Sequence, residues 1–229
     1  MIRKITLCFF PIVFLYMLLP YILTFGFSLG VIKRKKDSEQ IMITFDDGPN
    51  PIYTPMALDV LKKHGVNATF FVHGSKAMKH PELLLRMQHE GHLIGMHNNI
   101  HRSNWLMGPY TTKNQLNECS QAIKDITNIY PNYYRPPWGL VNIFYPMLLK
   151  EYKIILWSVM VKDWKNKGGS ERIKKELLLN MKQGDIILLH DNDETTNADE
   201  GAPINTMQAL DEVLKVAKSK GYQFGRVDE

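Results

Sequence analysis

At 229 residues the chain has room for one domain with a sizeable core, or for a membrane segment plus one domain. Its net charge of +5 is local: residues 1–36 hold six basic residues and no acid, leaving 22 basic against 23 acidic residues elsewhere. A near-neutral domain excludes an electrostatic footprint for nucleic acid. The distant pair Cys8 and Cys119 excludes a disulfide framework or a CxxC metal site, and leaves the redox compartment open.

After a short basic N-terminus, residues 1–4, the stretch 5–32 runs for 28 positions without a charge. As one helix it would extend about 42 Å, enough to cross a hydrocarbon core of about 30 Å with tilt. A secretory signal peptide is the rival reading, with Arg3 and Lys4 as its basic region and Ser28-Leu29-Gly30 as small residues for a peptidase. The apolar run exceeds the usual signal core, which favours an uncleaved, single-pass transmembrane signal-anchor. Residues 33–39 read as a basic linker and 40–229 as the domain. Four basic residues behind the segment against two ahead of it would, by charge alone, hold the domain in the cytoplasm.

Within the domain, short apolar runs alternate with amphipathic ones. Residues 41–45 form a buried strand that runs into Asp46-Asp47-Gly48-Pro49, two carboxylates followed by a turn signal. Carboxylates at the end of a buried strand need a metal, an arginine or a substrate to offset their desolvation. Further strands are expected at 68–72, 92–96, 133–134, 153–159, 185–189 and 222–224. Helices fall at 54–64, 82–90, 112–129, 143–151, 171–181 and 205–219. This alternation implies a parallel sheet covered by helices, a distorted (β/α) barrel of about seven strands.

On such a barrel, chemistry belongs at the carboxyl ends of the strands. There the sequence places His97-Asn98-Asn99-Ile100-His101, Arg135-Pro136-Pro137-Trp138-Gly139, Asp163-Trp164 and Leu188-Leu189-His190-Asp191. One helical turn would put His97 and His101 on one face, a metal-ligand spacing. Each stretch alone also has an ordinary reading: a tight turn, a helix-entry aspartate, a strand-end histidine. His64, His73, His80, His89 and His92 read as packing, capping or surface residues. The acidic run 191–201 lacks the spacing of a calcium loop and reads as a solvated segment beside the cleft.

Taken together and in this order, the stretches resemble those of the polysaccharide deacetylases, the NodB-homology domain of carbohydrate esterase family 4. Thr44-Phe45-Asp46-Asp47-Gly48, the His97–His101 pair, Arg135–Gly139, Met160-Val161-Lys162-Asp163-Trp164 and Leu188-Leu189-His190 are similar to its five motifs. The resemblance covers roughly residues 40–229. It implies metal-dependent removal of N- or O-acetyl groups from a glycan, and the expected substrate is an N-acetylated cell-envelope polysaccharide such as peptidoglycan. The domain is then expected outside the cytoplasm, as a monomer, against the charge flanks.

By that resemblance Asp47, His97 and His101 hold one divalent ion, zinc with cobalt, manganese or nickel as alternatives. Asp46 is the general base, Arg135 holds it ionised by a bidentate pair, and His190 is the general acid. Trp138 offers a main-chain N–H and a sugar-stacking face, while Trp164 and Leu188 line the pocket for the acetyl methyl. Two positions depart from the pattern. Asn98 replaces a Ser or Thr and can still make the loop's hydrogen bonds. Met160 stands where the resemblance expects an aspartate paired with the catalytic histidine, so Asp163 or Asp191 must substitute or activity suffers. A non-catalytic glycan-binding protein of the same fold is the alternative.

Overall fold

The computed structural model describes Pro11 and residues 13–229. The strands are β1 (Val31–Ile32), β2 (Gln40–Asp46), β3 (Thr69–Val72), β4 (Leu93–Met96), β5 (Tyr133–Tyr134), β6 (Lys153–Ile155), β7 (Val159–Met160), β8 (Ile186–His190) and β9 (Gln223–Gly225). The longer helices are α1 (Tyr53–His64), α2 (Gly74–Ala77), α3 (Pro81–His89), α4 (Pro109–Thr127), α5 (Tyr145–Leu148), α6 (Gly169–Asn180) and α7 (Ala202–Ser219). All strand pairs are parallel, in the order β1-β6-β5-β4-β3-β2-β8-β7, with β9 beside the start of β2. The result is one curled sheet of nine strands among the described residues, where about seven were expected.

The expected strand 153–159 is two strands, because the chain changes partners there. Leu156 N–H donates to Ile32 at 2.9 Å, and Ser158 N–H donates to Ile186 at 3.0 Å. Residues 156–158 therefore cross the seam where the sheet would otherwise close.

Side chains alternate between the two faces of each strand. Ile41, Ile43 and Phe45 join Phe70, Val72, Ile154, Ile187 and Leu189 in the large core beneath the helices. Met42, Phe71, Ile155, Ile186 and Val227 form a separate small cluster inside the curl. Full burial of each such side chain contributes about 1.5–3 kcal/mol, so a slip of one residue in register would cost many kcal/mol. The same alternation carries Asp46, Arg135, Leu188 and His190 to the inner face, above the small cluster.

Local signals fix the connections. Asn50 Oδ1 accepts the N–H groups of Ile52 and Tyr53 at 2.8 and 3.1 Å, starting α1. Gly65, left-handed at φ 59°, ends it.

The expected membrane segment 5–32 lies partly outside the described residues. Its described part is helical over Phe14–Gly26 and packs on the domain. Tyr16 donates its hydroxyl to Met107 O and accepts from Asn142 Nδ2 at 3.3 Å, while Phe25 stands edge-on to Trp157 at 5.8 Å. Among the described residues no helix is long and apolar enough to cross a membrane. Residues 33–39 are tied down as well. Lys33 Nζ donates to Phe25 O at 2.7 Å, Arg34 pairs with buried Asp185, and Lys35 N–H donates to Gly184 O at 2.8 Å.

Candidate active site

Asp46 ends β2 on the inner face, where its Oδ1 accepts from Arg135 Nη1 at 2.7 Å. Arg135 is fully buried, and its other donors reach Thr44 Oγ1 at 2.7 Å, Ile155 O at 3.2 Å and Leu156 O at 3.1 Å. Its guanidinium lies 4.2 Å from the centre of the Phe71 ring. The expected bidentate pair is instead one charge-assisted bond, because carbonyls at the end of β6 take the remaining donors.

Asp47 follows at φ 76°, a left-handed conformation that aspartate tolerates better than most residues. Its Oδ1 lies 3.2 Å from His97 Nε2, 3.4 Å from His101 Nε2 and 3.5 Å from His73 Nε2. That oxygen is buried and makes no hydrogen bond within the protein. The four residues offer ligand atoms that all lie within 4.8 Å of one another. An orphaned carboxylate oxygen facing imidazole nitrogens is costly unless a cation sits among them. One oxygen and several nitrogens form a donor set that fits a divalent ion of the zinc type.

His97 donates Nδ1–H to Arg135 O at 2.8 Å, which leaves Nε2 as the free lone pair toward Asp47. Burial pushes His101 down to about 3 and also lowers His73, so both imidazoles are neutral, as ligands must be. Burial opposes the charge of Asp47 too, yet His73 and His97 hold its carboxyl well below the usual range.

The helical turn expected between His97 and His101 is absent. Asn98 adopts φ 63° and the chain bends through a loop. Its side chain accepts from Tyr134 Oη at 2.9 Å and donates to Arg102 O and Asn104 Oδ1 at 3.1 and 3.2 Å. Asparagine favours that left-handed conformation, which suits it to this position.

Across the cleft, His190 ends β8 on the inner face. Its Nδ1 lies 2.9 Å from Asp163 Oδ1, and its backbone N–H donates to Asp163 Oδ2 at 2.7 Å. Thr206 Oγ1 donates to the same Oδ2 at 3.3 Å, inside a fully buried site. The aspartate expected at Met160 is thus supplied three positions later. β7 ends at Met160, Lys162 turns left-handed at φ 50°, and Asp163 swings beneath the imidazole. Met160 itself is 42% exposed at the cleft wall. Asp191, the other candidate, is bonded to Thr54 and fills the space where a Cβ on Gly48 would stand, 2.5 Å from its Oδ2. Burial raises Asp191 to about 7. Burial alone would lower His190, but Asp163, with help from Asp47 and Asp46, raises it to about 9.

The cleft between these groups encloses about 430 Å³, and Trp138, Trp164 and Leu188 are among its lining residues. Trp164 stands edge-on to His190 at 5.2 Å, and Trp138 edge-on to His101 at 4.1 Å. Residues of this site that were not expected include His73 in the ligand cluster, and Tyr21 and Phe25 in the cleft wall. For His73 a signal existed in the alternation of β3, because it shares the inner face with Phe71.

A family profile described as polysaccharide deacetylase matches residues 33–154. The chain is 36% identical over 200 residues to the peptidoglycan-N-acetylglucosamine deacetylase PgdA of Listeria monocytogenes, covering 86% of this chain but only 40% of that protein. It is 35% identical over 212 residues to the peptidoglycan-N-acetylmuramic acid deacetylase PdaA of Bacillus subtilis, covering 89% and 74%. A crystal structure of the Bc1960 peptidoglycan N-acetylglucosamine deacetylase superposes with a TM-score of 0.79 at 28% identity, over 89% of this chain and 94% of the other. With that profile spanning more than half of the chain, and relatives above 30% identity matching more than two thirds of it, the chain belongs to the polysaccharide deacetylase family.

Proposed function

We propose that the protein is a metal-dependent deacetylase that removes N-acetyl groups from the amino sugars of peptidoglycan. The observation that carries this reading is one cleft holding three parts together. They are the Asp47 cluster, Asp46 fixed by Arg135, and His190 fixed by Asp163. The names of the relatives support the substrate class. Asp47, His97 and His101 would hold a divalent ion of the zinc type, which when bound would polarise the acetyl carbonyl and acidify a water toward neutrality. Asp46, fixed in place by Arg135, is the base that would take the water's proton. The main-chain N–H of Trp138 meets the developing oxyanion. His190 gives its proton to the departing sugar amine, while Asp163 stabilises the imidazolium. Trp164 and Leu188 shape an apolar slot for the acetyl methyl, and exposed Trp138 offers a face for a sugar ring. With Asp163 against His190, Met160 gives no support to a non-catalytic reading. The test is acetate release from N-acetylated peptidoglycan fragments; none from folded, metal-loaded protein would overturn the proposal.

A pH effect follows from the Asp163–His190 pair. The raised value keeps His190 protonated to higher pH than an ordinary imidazole at about 6.5. Asp163→Asn removes the charge that opposes burial, so the proton leaves at lower pH. The alkaline limb of the pH–rate profile is expected to move down by about one unit or more. An unmoved limb in a folded variant would show that His190 is not the acid.

We place the domain on the extracytoplasmic side, where peptidoglycan lies. Protease added to intact protoplasts is then expected to degrade the domain, and protection until lysis would reverse the placement.

A further inference from the structure

We propose that His73 is a fourth protein ligand of the metal, so that three imidazoles and one carboxylate hold the ion. The inference rests on the metal-dependent reading above and goes beyond the trio Asp47, His97 and His101 that the family resemblance implies. In a tetrahedral zinc site with bonds of about 2.0–2.1 Å, ligand atoms stand about 3.3 Å apart. Asp47 Oδ1 lies 3.5 Å from His73 Nε2, against 3.2 Å from His97 Nε2 and 3.4 Å from His101 Nε2. His73 therefore keeps the same spacing as the two expected histidines. Its ring centre is 5.0 Å from that of His97 and 5.4 Å from that of His101.

Burial separates His73 from an ordinary core histidine. It is 2% exposed, yet neither ring nitrogen makes a hydrogen bond within the protein. A buried imidazole with no hydrogen bond on either nitrogen is costly, and a metal–nitrogen bond removes that cost. Its backbone is also fixed to both neighbouring ligand loops. His73 N–H donates to Gly48 O at 2.9 Å, and Gly74 N–H donates to Asn98 O at 3.2 Å. The ring is held among the ligands by the same short segment that follows β3.

A site so built retains its ion strongly and admits a further oxygen only by expanding to five-coordinate. Three nitrogens also favour zinc, nickel or cobalt over manganese.

The experiment is zinc affinity by chelator competition, for the full chain and for His73→Phe and His73→Gln. Loss of a residue that only orients a ligand costs about 10–100-fold in affinity, so loss of a ligand is expected to cost about 100-fold or more. Because the His73 ring makes no hydrogen bond within the protein, metal-free His73→Phe should melt close to wild type, while the rise in Tm on adding zinc shrinks. X-ray absorption of the zinc form should count three imidazoles in wild type and two in the variants. Wild-type affinity and an unchanged imidazole count in a folded variant would overturn the inference and leave the metal-dependent reading intact. Instability of both variants without metal, with full affinity once folded, would likewise assign His73 to packing and overturn it. Absence of any zinc binding by wild type would overturn both.

Discussion

Asp46→Asn is expected to bind metal as wild type does and to lose about 10²–10⁴-fold in turnover, the usual worth of a positioned general base. The substitution is nearly isosteric. Its amide oxygen can still accept from Arg135 Nη1, which now reaches Asp46 Oδ1 at 2.7 Å. What the amide cannot do is take a proton near neutral pH. Asp46 and Asp47 are adjacent, but the left-handed backbone at Asp47 sends the two carboxylates to different partners. Asp46 Oδ2 lies 4.0 Å from His97 Nε2, whereas Asp47 Oδ1 stands among three imidazoles. Asp47→Ala should therefore lose metal and activity together. The pair of variants separates the roles by acetate release and metal content measured on the same samples. Wild-type turnover in Asp46→Asn, or full metal content in Asp47→Ala, would reverse the assignment.

Arg135→Ala should be felt first as instability. The guanidinium is fully buried and satisfies a carboxylate, a hydroxyl and two strand-end carbonyls. Removing one partner of a buried pair leaves the other charge uncompensated, at a cost of about 3–5 kcal/mol. Against a domain stability of about 5–15 kcal/mol that is a large fraction. Arg135→Lys should recover only part of it, since one ammonium cannot span the same four acceptors. Denaturant midpoints measure both effects. The double variant Arg135→Met with Asp46→Ala should cost less than the two single changes summed. Strict additivity would mean that the pair is not coupled and that Arg135 acts by packing alone.

The β/α alternation and the strand-end placement of the motifs were legible in the sequence because strand faces repeat every two residues. That period links Met42, Thr44 and Asp46, then Phe71 and His73, then Tyr133 and Arg135, then Ile186, Leu188 and His190. Read to its end, it already places His73 beside the ligands; as one of eight histidines, with no motif of its own, it did not stand out. The partner of His190 could be narrowed only to Asp163 or Asp191, for a different reason. A continuous strand over 153–159 puts Met160 at the strand end, whereas the change of partners at residues 156–158 depends on two other strands far away in the chain. Tyr21 and Phe25 were out of reach for the same kind of reason: an apolar run carries no mark that distinguishes lipid from protein as its neighbour.

The way the chain enters the domain sets how far the cleft can travel. Tyr21 and Phe25 form part of the cleft wall, β1 pairs with β6, and the following residues are bonded to Phe25, Asp185 and Gly184. A flexible linker of n residues lets a domain sweep a radius of about 5–6 Å times the square root of n. Here the path from the rim to β2 contributes little such slack, because it is fastened along its length. The cleft wall at Tyr21 and Phe25 therefore moves with the sheet rather than apart from it.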